Sequence, residues 1–143
     1  MVSEEDVSKK IKSDSMKLSA FLLDWFDENK RELPFRKNRS LYSIWVSEVM
    51  LQQTKVDIVI PYFNSWMKKF PNIKSVAEAS EENILKSWEG LGYYSRCRNF
   101  HKAAKIIVKD YGSKIPEDWD NFRSLPGVGD YTAGAVLSIA LNK

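Results

Sequence analysis

The sequence predicts an all-α fold of about seven helices, on three observations. Apolar residues recur at helical spacing, beginning with Leu18, Phe21, Leu22, Trp25 and Phe26 at i, i+3, i+4, i+7 and i+8. No stretch offers a competing strand alternation, and neither a repeat nor a low-complexity tract appears. Glycines, prolines and N-capping residues punctuate the chain at helix-length intervals. The 143 residues suffice for one domain or most of a larger one, with 43% hydrophobic residues and five Trp, six Tyr and seven Phe to build a core.

Residues 1–17 carry four acids and four lysines without an aromatic, and are expected to form a charged, disordered tail. A helical domain should then run from 18 to 143. Its first helix, carrying the Leu18–Phe26 stripe, gives way to the polar and basic loop "ENKRELPFRKNR", broken by Pro34. "WVSEVMLQQT", residues 45–54, reads as a buried helix. Val56, Ile60, Phe63, Met67 and Phe70 stripe a third helix that Pro61 should kink. Ser80 is placed to cap a fourth, and Gly90 and Gly92 to stop it. "YYSRCRNFHKAAKIIVKDYG" is a longer fifth helix closed by Gly112, and Pro116 can open a short sixth carrying Trp119 and Phe122. The last helix, "DYTAGAVLSIALNK", is apolar or small on all sides and has to be covered by something. The chain ends immediately after it, so a shortened or interrupted chain is expected, with more protein beyond.

Composition narrows the function. A single cysteine, Cys97, excludes an internal disulfide and a cysteine-only metal site. With no signal peptide and no apolar run of membrane-spanning length, the expectation is an intracellular soluble protein. A net charge of +3 permits a nucleic-acid partner without demanding one.

Four groups of residues could carry chemistry. Glu48 sits among Trp45, Val46, Val49, Met50 and Leu51 with no basic residue three or four positions away, and Gln52 lies beside it on the helix. Either this is a solvated edge, or apolar walls raise the carboxyl pKa so that it holds a proton at working pH. In "LPGVGDYTAG", two glycines flanking Val128 make a tight hairpin ahead of a helix whose free N–H groups form an anion site. Tyr93 and Tyr94 follow "GLG", where an aromatic at a loop tip can stack on or wedge between bases unless both belong to the core. Arg98, Lys102, Lys105 and Lys109 form a basic stripe, either a plain solvated face or a groove edge for phosphates. His101, without a second ligand in metal spacing, reads as a structural hydrogen-bonder, and Cys97 as an inert buried thiol.

"SEVMLQQT", "GLGYYSRCRNFHKAAK" and "LPGVGDYTAGAV" together resemble the MutY-type, A/G-specific adenine DNA glycosylases of the helix–hairpin–helix base-excision superfamily, which includes endonuclease III. The similarity runs from about Leu22 to Asn142, with the three motifs in the family's order and approximate spacing. It implies the six-helix-barrel portion of a helix–hairpin–helix glycosylase fold, with the helix–hairpin–helix at about 119–142 and the second, iron–sulfur domain largely missing. It implies excision of adenine mispaired with 8-oxoguanine or guanine, with Glu48 protonating the flipped base. Gln52, Gln53, Thr54, Tyr93 and Arg36 would contact DNA, Gln53 and Tyr93 by entering the stack. Gly127, Val128 and Gly129 would hold backbone phosphate, with a monovalent cation behind the hairpin. Tyr131 stands where the endonuclease III branch carries a nucleophilic lysine, which implies base release without efficient strand cleavage, the hydroxyl lying near the reacting sugar.

The implied partner is double-stranded DNA bearing A·8-oxoguanine or A·G mispairs, met by a monomer without membrane association. The implied location is cytoplasmic or nucleoid-associated, nuclear in a eukaryote. The sequence also departs from the family. Its catalytic aspartate, the four cysteines of its 4Fe–4S cluster and the domain that senses 8-oxoguanine are not within these 143 residues. Phe35 stands where many members carry Trp. Two other readings stay open, a thymine-mismatch glycosylase of the same superfamily and a DNA-binding portion that does not catalyse alone.

Overall fold

The computed structural model describes residues 40–52 and 54–141. Seven helices occur among the described residues: α1 Leu41–Leu51, α2 Val56–Lys69, α3 Ile73–Glu78, α4 Glu81–Trp88, α5 Tyr94–Asp110, α6 Trp119–Arg123 and α7 Asp130–Leu141. The expected tail, the expected first helix and the Pro34 loop lie outside the described residues. α3 is additional to the expected set.

α1 is the central helix. Nine consecutive residues, Tyr42 to Met50, are buried, and both α2 and α7 pack on it. Its serines cost little there because each hydroxyl donates to a carbonyl one turn back: Ser43 Oγ to Ser40 O at 3.1 Å and Ser47 Oγ to Ile44 O at 2.7 Å. Ser40 caps the helix by accepting the Ser43 N–H.

α2 runs through Pro61 as one helix. The sequence stripe finds its buried face only in part. Val59, Phe63 and Trp66 are buried within the helix, while Val56, Ile60 and Met67 flank them half-buried. Trp66 decides the orientation. It donates to Tyr42 Oη at 3.0 Å, Tyr42 in turn donates to Phe70 O, and its ring meets Trp88 edge-on at 5.9 Å. α3 escapes periodicity because it is only six residues long, but its capping box is in the sequence. Asn72 Oδ1 accepts the Ser75 N–H at 2.8 Å and Ser75 Oγ accepts the Asn72 N–H at 3.2 Å.

Ser80 caps α4 as expected, and Gly90 then turns the chain with a φ of +98°. α5, the longest helix, buries Cys97, Phe100, His101, Ala103, Ala104 and Ile107 and rests on α3 and α4. Asp118, not Pro116, starts α6. Its carboxylate accepts the Asn121 N–H, leaving Pro116 ahead of the cap. Trp45 joins three helices at the centre of the core, edge-on to Phe100 of α5 at 4.7 Å and to Phe122 of α6 at 5.0 Å.

Candidate active site

Glu48 is 0% exposed, and neither of its carboxyl oxygens has a hydrogen-bond partner among the described residues. This excludes the solvated-edge reading. Burial pushes its pKa up to about 8, opposed in part by the nearby Gln52 amide and by the charge of Arg96. The Gln52 amide is held elsewhere, Nε2 donating to Thr132 Oγ1 of α7 at 2.9 Å. Gln52 therefore tempers the shift without satisfying the carboxyl. The result is a neutral acid, held on a rigid helix and retaining its proton at pH 7.

Beside Gln52, α1, α5 and the α6–α7 hairpin meet along a cleft lined by Trp45, Val49, Gln52, Arg96, Asn99 and Gly127, among others, and Glu48 is not part of that lining. Its volume of about 50 Å³ is far below the roughly 300–1,000 Å³ of ligand pockets. It is a seam between elements rather than a base pocket. Arg96 Nη1 donates to Gln52 O, and its guanidinium carbon lies 5.0 Å from the centre of the Tyr93 ring.

Tyr93 and Tyr94 are 54% and 39% exposed, which excludes the core reading for both. Tyr93 sits in the left-handed region, φ 52° and ψ 52°, immediately after Gly92 at φ +75°. Thr54 is half-buried just past α1, its N–H donating to Leu51 O at 3.3 Å. Gln53 and Arg36 lie outside the described residues.

In the hairpin, the side chain of Val128 is buried and its N–H donates to Leu125 O at 3.1 Å, so it anchors the turn. Gly127 has φ +78°, and a Cβ there would lie 2.8 Å from Asn99 Cβ on α5. Glycine is required twice over at that position. α7 follows directly, Ala133 N–H donating to Gly129 O, so its first-turn amides form the unpaired N-terminal set. Tyr131 is half-buried in that first turn.

His101 is buried with Nε2 3.0 Å from Ala79 O, the structural role expected of it. Of the basic stripe, Arg98, Lys102, Lys105 and Lys109 are all exposed, and Arg98 pairs with Glu81 at 3.5 Å. Cys97 is buried, its thiol directed to Ile84 O at 3.6 Å and pushed up to about 12, a poor fit to a cluster ligand. No group of three His, Cys, Asp or Glu suited to a metal occurs among the described residues. At the hairpin, Val128 O already accepts from Arg123 Nη1 at 2.9 Å, and Arg123 pairs with Asp130 at 2.7 Å. A guanidinium thus supplies positive charge at this carbonyl.

Sequence reasoning missed Arg96, Asn99 and Thr132. Their signal was weak. Arg96 and Asn99 stand three apart near the start of one helix, but the partners that give them meaning, Gln52 and Gly127, come from distant segments.

A family model described as HhH-GPD superfamily base excision DNA repair protein matches residues 46–139. The chain is 46% identical over 125 residues to the adenine DNA glycosylase of Buchnera aphidicola subsp. Acyrthosiphon pisum, covering 87% of this chain and 36% of that protein. It is 45% identical over 143 residues to the adenine DNA glycosylase of Rattus norvegicus, covering 92% and 28%, and 45% over 131 residues to that of Homo sapiens, covering 85% and 24%. The chain thus spans between 24% and 36% of the length of these three relatives. Among solved structures, a thermostable thymine-DNA glycosylase superposes with a TM-score of 0.70 at 24% identity, covering 92% of this chain and 61% of that one. A trapped endonuclease III–DNA covalent intermediate gives 0.68 at 20%, covering 99% and 62%. At such identities the likeness concerns the fold.

Proposed function

The chain belongs to the HhH-GPD superfamily of base excision DNA repair proteins, and from that premise we propose that it serves as the catalytic helical portion of an adenine DNA glycosylase. Its substrate is adenine mispaired with 8-oxoguanine or guanine in double-stranded DNA, and it acts as a monomer. It works where that DNA is, in the cytoplasm or nucleoid, or in the nucleus of a eukaryote. No helix among the described residues is long and apolar enough to cross a membrane.

One observation carries the reading: a fully buried carboxyl whose oxygens have no hydrogen-bond partner among the described residues, held protonated at neutral pH. Unpartnered buried polar groups are costly, and this one has a use once a base with acceptor nitrogens reaches it. Extruding the adenine costs a few kcal/mol of unstacking. The exposed Tyr93, with Gln53 and Arg36, offsets that cost by contacts inside and beside the stack, while Gln52 and Thr54 line the approach. Gly127, Gly129 and the first amides of α7 grip backbone phosphate, on a turn that Val128 anchors.

The proton of Glu48 passes to a ring nitrogen of adenine. The glycosidic bond breaks with its electron pair going to the base. Water adds to the resulting sugar cation and gives up a proton, which restores the acid. Tyr131 carries no amine and cannot form a Schiff base with the sugar, so base release proceeds without efficient strand cleavage.

The test is single-turnover adenine release from an A·8-oxoguanine duplex by the wild type and by Glu48→Gln, with a G·T duplex alongside. Wild-type release falling at least about 100-fold in the variant supports the reading. Undiminished release by Glu48→Gln, or thymine released from G·T in place of adenine, overturns it. No release from a folded wild-type chain reduces it to a DNA-binding portion.

A further inference from the structure

Tyr93 caps α5, and Arg96 and Asn99 follow in its first two turns. Asn99 abuts Gly127 of the hairpin. Tyr93 holds its exposed ring on a left-handed backbone that bulky side chains rarely adopt. Between them, the guanidinium of Arg96 lies over the Tyr93 ring while its Nη1 donates to Gln52 O at the end of α1. A planar guanidinium can stack through its face and donate through its edge at once, whereas a lysine ammonium cannot. A cation at that carbonyl also suits the negative end of α1, the helix that carries Glu48.

We infer that Arg96 is a positioning residue for base extrusion, clamping the exposed Tyr93 ring to the carboxy-terminal end of α1 so that wedge and acid form one rigid edge. The inference deepens the glycosylase reading and rests on it. A ring on a loose tip would swing aside when pushed against a stacked base. Fixed to α1, it transmits that push without shifting the helix that must receive the adenine.

The experiment places 2-aminopurine opposite 8-oxoguanine in a duplex and reads its fluorescence rise at saturating protein, a signal of unstacking that needs no bond cleavage. Wild type is compared with Arg96→Lys, Arg96→Ala, Tyr93→Leu and the double variant Tyr93→Leu/Arg96→Lys, with circular dichroism as the check on folding. At least a threefold loss of the rise is expected in Arg96→Lys, accompanied by a matching loss of adenine release. Tyr93→Leu should lose as much, and the double variant no more than the worse single one. Arg96→Lys keeps the charge, so it decides the matter even if Arg96→Ala does not fold. Wild-type fluorescence in Arg96→Lys, or additive losses in the double variant, overturns the inference. A wild type that extrudes the base without releasing it defeats only the glycosylase reading, and the Arg96 comparison still stands. No rise in the wild type defeats both.

Discussion

At the scale of single residues, Glu48 sets a conflict between stability and chemistry. Its folded pKa of about 8 lies above the ordinary 4.5, so between those values the folded chain keeps a proton that the unfolded chain releases. The associated stability is full below pH 4.5 and is lost as pH rises through 8. Glu48→Gln removes the titration while keeping the shape. In urea unfolding, the variant should match the wild type near pH 5 and exceed it by a few kcal/mol at pH 8.5. An equal gap at both pH values would show that the carboxyl is not held neutral. The same titration should appear in activity, with adenine release declining as pH climbs past 8. Glu48 was legible in the sequence because its neighbours are apolar and no cation stands one helical turn away. Arg96 was not, since its proposed role depends on its bond to the carbonyl of Gln52, a residue far away in the chain.

At the scale of elements, two glycines that look alike in "PGVGD" separate into different jobs. Gly127 needs a positive φ and has Asn99 Cβ in the space its own Cβ would take, whereas a Cβ on Gly129 would meet nothing within 4 Å. Gly127→Ala should therefore cost about 1–3 kcal/mol by moving the hairpin off α5, and should weaken DNA binding with it. Gly129→Ala should cost less than about 1 kcal/mol, as expected at a helix N-cap. Chemical denaturation of both variants checks this, and equal losses would contradict the packing of Gly127 on Asn99. Helix caps were the most legible elements. Ser80 follows directly from the residue types, and so does Asn72 with Ser75 once looked for. α3 was passed over because six residues carry too little periodicity, and the buried face of α2 was found only in part because Val59 and Trp66 lie at its centre and Val56, Ile60 and Met67 at its flanks.

At the scale of the whole molecule, the described helices share one core, and Trp45 is where its parts join. Its ring meets α5 through Phe100 and α6 through Phe122, on the helix that also bears Glu48, and it lines the seam beside Gly127. The sequence showed an all-α chain and a buried Trp45. It could not show which helices that ring would bind together, because that depends on crossings between segments far apart in the chain. Truncating the ring should disturb the acid and the hairpin alike. Trp45→Ala should cost about 3–5 kcal/mol, a large share of the roughly 5–15 kcal/mol available to a domain. If the core is one cooperative unit, far-UV circular dichroism and fluorescence of the remaining tryptophans should lose signal along the same denaturant curve in wild type and variant. Two separated transitions, with helix lost before or after the tryptophan signal, would mean that the hairpin and α7 melt independently of the Glu48 helix. The proposed phosphate grip and the proposed proton donor would then be held together by the DNA rather than by the fold.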